Sequence, residues 1–459
     1  MRKWVLLLVG LLGVVGMRAQ VVNPDMHFIL GRAEAHLLRD DSLHHWFSCD
    51  STGISIYSDP QAKSRDSAEF RLNYQDIPLF RSWVKRTPFD SLNRQYADGW
   101  MSSMLKAESP RKSPNLNRTA DKPLQGLRIA LDPGHVGGTM EMGQLEWKYV
   151  QILPKRTDSV LDTVSFNEGN LNLATALVLD SMFRAAGATV LSTRNREGET
   201  AFGYDFPTWL RLQDSIWQVK SGAVGKQDER RYLRAAAALY LEQYPELKKD
   251  SAWWMEKAGL AAIYKGPFLR SEFEQRARLV HDFQPDLTLV IHYNVLETNE
   301  PGAKGWRIAV DENHAMAFVP GAFMLGELNK PEDRLAFLIH LVSEAYEESI
   351  HLSASVMEAH ERLLAVPLLR EGSHLKYIAN ASIPVDQAPG VYARNLALTR
   401  KIFGVVCFGE SLYQDNRKEC LLLNAKDFVL PGMSTPSPNR IKQVAEAYYQ
   451  GVLNWALRL

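Results

Sequence analysis

The sequence predicts an α/β fold: a mostly parallel twisted sheet flanked by helices, with helical insertions and a small α+β region on its N-terminal side. Three observations carry this. Short apolar runs stop at turn or polar residues, as Leu127 to Leu131 stops at Asp132-Pro133-Gly134. Stretches with helical apolar spacing lie between those runs, and strand-then-helix alternation is how parallel sheets are built. Glycine also falls where a helix must end, Gly187 following the stretch Asn170 to Ala186 with its Leu173, Leu177 and Phe183.

The elements follow in chain order. Residues 1–19 carry Arg2 and Lys3, an apolar run from Trp4 to Val15 and Ala19 at a small-residue cleavage position. That is the layout of a signal peptide, and the run is shorter than the ~20 apolar residues of a membrane span. No later stretch is apolar enough to span, so the mature chain is expected to be exported without a membrane span. Its expected location is the periplasm, or else the cell surface or exterior.

Residues 20–105 mix a helical stretch (Met26 to Leu38), an alternating run (Gly53 to Tyr57) and a short apolar piece (Ile77 to Val84). Residues 106–123, rich in Lys, Arg, Ser, Asn and Pro, read as a linker. The main unit then occupies 124–459. In it, Val190-Leu191 continues as a strand, Phe273 to Phe283 as a helix and Asp286 to Ile291 as a buried strand ending at His292. Glu332 to Leu364 is helical, and Ile402 to Phe408 is a last strand followed by Glu410. Residues 196–269 interrupt the alternation with strong helix formers, Arg230 to Tyr244 and Trp253 to Ile263. They read as one helical insertion, and 311–364 as a second.

Composition excludes several classes. With 53 basic and 53 acidic side chains the net charge is zero, against the positive excess of a nucleic-acid binder. The 3 cysteines, Cys49, Cys407 and Cys420, are too few for a disulfide scaffold and lack the spacing of a thiolate zinc site. Whether Cys407 and Cys420 pair is open at this stage.

His135, Glu168, His292 and Glu410 all fall where strands end or helices begin, and the carboxyl ends of strands in an open α/β sheet line one crevice. Two imidazoles and a carboxylate are the donor set of a catalytic zinc, which keeps its fourth position for water. A further carboxylate outside that set serves as general base. Strand-end histidines and glutamates are commonly structural, and spacing by itself leaves both readings open. The adjacent pair His44-His45 is discounted as a metal pair because its side chains diverge.

The local words add to this. Ile129-Ala130-Leu131-Asp132-Pro133-Gly134-His135-Val136-Gly137-Gly138 closely resembles the opening signature of the zinc-dependent N-acetylmuramoyl-L-alanine amidases, amidase type 3. Phe166-Asn167-Glu168-Gly169-Asn170-Leu171 resembles that family's helix-opening glutamate. Arg276 followed by Asp286 to Ile291-His292-Tyr293-Asn294 resembles its third landmark, and Val405 to Glu410, with Asn416 and Glu419 after it, the last. The landmarks occur in the family's order over roughly residues 125–459. The resemblance implies a phosphorylase/hydrolase-like fold, zinc on His135, Glu168 and His292, and Glu410 as the catalytic carboxylate. It also implies peptidoglycan or muropeptides as substrate.

Arg194, Arg276 and Asn294 are the candidate substrate-binding residues, although the two arginines read first as caps of strand and helix ends or as partners of a nearby acid. Glu141 and Glu146 are set aside as ligands because neither opens a helix. The chain departs from the pattern at Thr139 to Gly143, which replaces a small-residue run, and at Val280-His281, where His281 reads as structural. In some relatives a helix covers the cleft until an activator protein displaces it, and Tyr232 to Tyr244 or Leu335 to Ile350 are the segments considered for such a lid. Hydrolysis of another wall amide, or peptidoglycan binding without catalysis, are the alternative functions.

Overall fold

Ile129 to Asp132 and Leu287 to Ile291 are buried along their whole length, which a strand tolerates only in a sheet covered on both faces. The computed structural model, which describes residues 24–97, 118–153, 163–222, 230–302, 304–372 and 374–458, has such a sheet. The expected signal peptide at 1–19 and most of the expected linker lie outside the described residues.

Strands β1 (Phe47–Cys49), β2 (Gly53–Ile56) and β3 (Phe70–Asn73) form a small antiparallel sheet in the N-terminal region. Strands β4 (Arg128–Pro133), β7 (Thr189–Ser192), β8 (Leu287–Asn294), β9 (Met316–Val319), β10 (Ser382–Pro384), β11 (Val391–Arg394) and β12 (Val406–Tyr413) form the main one. Its order is β10-β11-β9-β12-β8-β4-β7. The β4–β7, β4–β8, β8–β12 and β9–β11 pairings are parallel; β9–β12 and β10–β11 are antiparallel. Between β4 and β7, β5 (Tyr149–Ile152) and β6 (Val164–Asn167) pair as a separate antiparallel ribbon.

Alternation along the strands divides the core. Ile129, Leu131, Leu289, Ile291, Ala317 and Cys407 face one cluster, under the helices Glu168–Ala185, Ala345–Leu364 and Arg440–Ala456. Ala130, Val290, Met316, Phe318, Val406 and Phe408 face the other, as the two-residue period of a strand requires. The Ala345–Leu364 and Arg440–Ala456 helices approach so closely that a Cβ on Gly451 would stand 2.5 Å from Val356 Cα.

The first expected insertion is helical: Phe206–Ser221, Arg231–Gln243, Ser251–Glu256 and Leu260–Ile263 precede the helix Leu269–Phe283. The single helix expected over Trp253 to Ile263 is two, broken ahead of Gly259, where backbone entropy disfavours continuation. The stretch 311–364 is helical over Pro331–Val342 and Ala345–Leu364, as expected, and both helices pack into the core; its first part contributes β9, a strand inside the main sheet that was not expected. A four-residue strand followed by Pro320-Gly321 is too short a run for periodicity to separate from helix. Leu335 to Ile350 therefore does not cover the candidate site. Ser349 Oγ accepts from Val406 N, 3.0 Å away, at the start of β12 and four residues before Glu410. Cys407 and Cys420 are buried, and each is a free thiol.

The N-terminal region shares the main core. Phe47 meets Phe337 with ring centroids 5.4 Å apart, and Arg334 grips the Glu69 carboxylate through Nε (2.5 Å) and Nη2 (2.9 Å). Buried Arg32 donates to the carbonyls of His340, Leu341 and Ser343 and to the Glu347 carboxylate, closing the C-terminal end of the Pro331–Val342 helix where a cation is favoured. No helix among the described residues is long and apolar enough to cross a membrane.

Two core histidines make this packing acid-sensitive. Burial pulls both His340, whose Nε2 lies 2.9 Å from Arg400 O, and His360, whose Nδ1 lies 2.8 Å from Val356 O, from 6.5 down to about 4. The unfolded chain takes up these protons first as the pH falls, so this stability is complete above pH 6.5 and drains away down to about pH 4. Each residue should cost about 1.4 kcal/mol per pH unit across that window. Urea midpoints measured from pH 7.5 to 4.5 should fall accordingly, and His340→Gln and His360→Leu should each flatten the slope by about one proton. A midpoint independent of pH would refute this account.

Candidate metal centre

The centre starts with a turn. Leaving β4, the chain bends through Pro133 and Gly134, and Gly134 N still donates to Ile291 O (2.9 Å) on β8. His135 then takes a left-handed conformation at φ 59°, a region that residues other than glycine enter at a cost in backbone energy, histidine less reluctantly than most. Buried guanidinium groups hold it there. Arg276 donates to His135 O (2.9 Å) and Pro133 O (2.9 Å), and Arg194 to Pro133 O (3.1 Å), Gly134 O (3.0 Å) and Gly169 O (2.8 Å). Asn172 Nδ2 adds a bond to Gly134 O (2.9 Å). Asn167 and Asn170, at the start of the Glu168–Ala185 helix, fasten Gly138 in the loop beyond.

Three candidate ligands converge on the turn. Glu168 opens its helix, capped by Asn167 accepting from Asn170 N, where the helix dipole favours a carboxylate. Its Oε1 stands 3.1 Å from His135 Nε2 and 3.0 Å from His292 Nδ1. His292 lies on β8, stacked on Phe408 of β12 with centroids 4.4 Å apart. A Cβ on Gly134 would come within 2.1 Å of His292 Nε2, so glycine alone fits beneath that ring. His135, Glu168 and His292 each offer a ligand atom within 4.8 Å of the others, and His135 Nε2 is buried with no hydrogen-bond partner. A two-imidazole, one-carboxylate set with an orphaned nitrogen fits a divalent metal of the zinc type.

Glu410 completes the group. It is directly paired with His292 across β12 and β8, so both side chains leave the same face, and its Oε2 is buried without a partner. Burial and the Glu168 charge push its carboxyl up to about 8, against the opposing pull of Lys148, His135 and Arg394. For Glu168 the balance is reversed: burial is outweighed by His135 and Lys148, and the carboxyl falls well below the usual range. Burial opposes charge on His135, but Glu168 and Glu146 prevail and lift it to about 9. Burial lowers His292 to about 4. Two neighbouring buried carboxyls that feel one another's charge are thus driven in opposite directions, the arrangement that separates a ligand from a proton carrier.

The sequence reading placed Glu410 after the last strand; it lies inside β12, whose pairing continues to Tyr413. Arg194 and Arg276, considered as substrate binders, are each 1% exposed; both donate to the turn, and Arg276 also to Asp132 and Glu272, so the capping alternative describes them. Asn294 is half-buried beside the centre, donating to Tyr377 Oη (2.9 Å). His281 is remote, with Nε2 2.8 Å from Thr87 O. Tyr232 to Tyr244 packs into the cluster that contains Val136, next to His135.

Several contributors escaped the sequence reading. Gln414 Nε2 donates to Glu168 Oε2 (3.2 Å), and Lys148 Nζ stands 3.9 Å from the same oxygen. Glu146, set aside as a ligand, contacts His135 Nδ1 at 2.7 Å. The Arg394 guanidinium lies over the Phe318 and Tyr377 rings. Gln414 lies within the last landmark but carried no assigned role there, and the others belong to no local word; the fold assembles them.

Removing the clamp should be costly. Arg276→Met strands Asp132 and Glu272, both 0% exposed, without their cation, and breaking a buried pair in this way costs about 3–5 kcal/mol. Urea denaturation should show that loss, while Arg184→Met, at an exposed i,i+4 pair with Asp180, should change stability by less than about 1 kcal/mol. Equal effects would contradict the clamp.

No family model matches the chain, nor does any curated protein sequence. Among solved structures it is similar to the CwlD amidase of Clostridioides difficile, solved in complex with the GerS lipoprotein, at 14% identity and TM-score 0.31 over 72% of this chain and 100% of that one. It is similar to the N-acetylmuramoyl-L-alanine amidase AmiC2 of Nostoc punctiforme at 12% identity and TM-score 0.31 (72% of this chain, 98% of that one). The N-acetylmuramyl-L-alanine amidase Ami1 of Mycobacterium smegmatis is matched at 12% identity and TM-score 0.33 (73% of this chain, 99% of that one).

Proposed function

We propose that the protein is an exported zinc amidase that hydrolyses the bond between N-acetylmuramic acid and L-alanine in peptidoglycan or its muropeptides. The observation that carries the chemistry is the pairing of Glu410 with His292 beside the His135–Glu168–His292 cluster. The choice of substrate rests on the sequence words around those residues, above all Asp132-Pro133-Gly134-His135 and Ile291-His292-Tyr293-Asn294.

His135, Glu168 and His292 would hold the zinc, which when bound supplies a Lewis acid for the scissile carbonyl and lowers the pKa of a water towards about 7. Glu410 takes the proton of the attacking water and returns it to the departing alanine nitrogen. Its buried carboxylate, with one oxygen unpartnered, is suited to both halves of that transfer. Asn294 and Arg394 face the substrate, Arg394 as a cation for a peptide carboxylate; among the described residues no carboxylate forms an ion pair with it. Release of the amidase by an activator protein belongs to the same proposal. Its lid would be Tyr232 to Tyr244, the segment that packs near the turn.

The test is metal analysis together with muropeptide digestion. About one zinc per chain and new L-alanine N-termini are expected from the native protein. His292→Ala should lose both. Glu410→Gln should keep its zinc and lose turnover by at least about 100-fold. Zinc without new L-alanine termini, from the native chain and from a chain lacking residues 232–244 alike, would overturn the substrate, and near-normal turnover by Glu410→Gln would overturn the role of that carboxylate.

A further inference from the structure

The imidazole of His135 has two nitrogens and the structure gives them different neighbours. Nε2 faces Glu168, with no hydrogen-bond partner. Nδ1 lies 2.7 Å from Glu146 Oε1. A carboxylate only accepts, so the Nδ1 proton belongs to this contact, and Nε2 is the nitrogen that would give its lone pair to a metal once its own proton is displaced. Glu146 is itself held. Its other oxygen accepts from Tyr264 Oη at 3.2 Å and from Val136 N at 3.5 Å.

Tyr264 comes from the helical insertion. It is 0% exposed, packed edge-on against Phe206 (4.9 Å) and against Phe268 (4.8 Å), in a single turn of π-helix spanning Tyr264–Phe268. The residues that follow the pair in sequence also meet, Lys265 Nζ lying 4.8 Å above the Trp147 ring. Trp147 adopts a left-handed conformation at φ 65° to end the Met140–Glu146 helix, which leaves Glu146 on its last turn facing His135.

We infer that Glu146 and Tyr264 are positioning residues for the metal ligand His135, and that the 196–269 insertion thereby buttresses the metal centre. This rests on the metal reading above. The carboxylate fixes the tautomer and the ring plane of His135, and the phenol fixes the carboxylate. Partners of this kind typically contribute 10–100-fold to metal affinity.

Zinc affinity of the full-length chain, measured by competition with a chelator of known strength, tests it. Glu146→Ala should weaken binding about 10–100-fold. Glu146→Gln, which keeps an acceptor and loses the charge, should fall between Glu146→Ala and the native chain. Tyr264→Phe, which removes one hydroxyl from a packed ring and should fold, is expected to weaken zinc several-fold. Combined with Glu146→Ala it should add nothing, because it acts through that carboxylate. Phe206→Leu loosens the same aromatic cluster without touching Glu146 and should leave zinc affinity unchanged. Native affinity in Glu146→Ala or Tyr264→Phe would overturn the inference and leave the metal reading intact. Equal weakening by Phe206→Leu would reduce the pair to general packing. A native chain that binds no zinc would overturn both readings.

Discussion

Everything at the centre depends on a strained turn being held still. His135 can present its ring to Glu168 and His292 only because residues 132–135 leave β4 with a left-handed residue at the end. The chain does not favour that conformation by itself. Two arginines, taken out of water, direct their guanidinium groups at the turn's carbonyls, and the cost of burying them is offset by Asp132, Glu272 and those carbonyls. Glu272 in turn accepts from Ala201 N, at the start of the insertion. The scaffold charge network and the candidate metal centre are therefore one connected structure. Geometry of this kind is preorganised by the fold and needs no rearrangement when a reaction begins.

Register does the rest. Strand pairing sets Glu410 opposite His292 and Pro133 opposite Ile291, which brings Gly134 under the His292 ring. A slip of one residue in either pairing would send these side chains to opposite faces. The alternating apolar residues of β8 and β12, divided between two cores, forbid that slip. The same hydrophobic pattern that stabilises the sheet aligns its polar residues.

The four residues of the proposed chemistry were legible in the sequence because each sits in a short local word: a turn, a helix start or a strand end. Their supports were not. Glu146 looks like an ordinary helix-end glutamate, and Tyr264 like one aromatic in an inserted helical stretch. Only the fold brings them together across 118 positions. β9 was missed because four residues carry too little periodicity, and two roles stayed open for Arg194 and Arg276 because sequence cannot tell a buried guanidinium from an exposed one. The sheet itself was legible because its central strands are continuous apolar runs bounded by turns.

Arg32 carries a consequence for how the molecule is made. Its partner Glu347 lies 315 positions downstream. At a synthesis rate of about 5–20 residues per second, the N-terminal region waits roughly 15–60 s for the residues that complete its core. During that interval Ile29, Phe47 and Phe80, all destined for a shared interior, lack their final neighbours. The chain cannot fold strictly in the order in which it is made. A nascent chain of this topology gains from being kept unfolded until its last third is available.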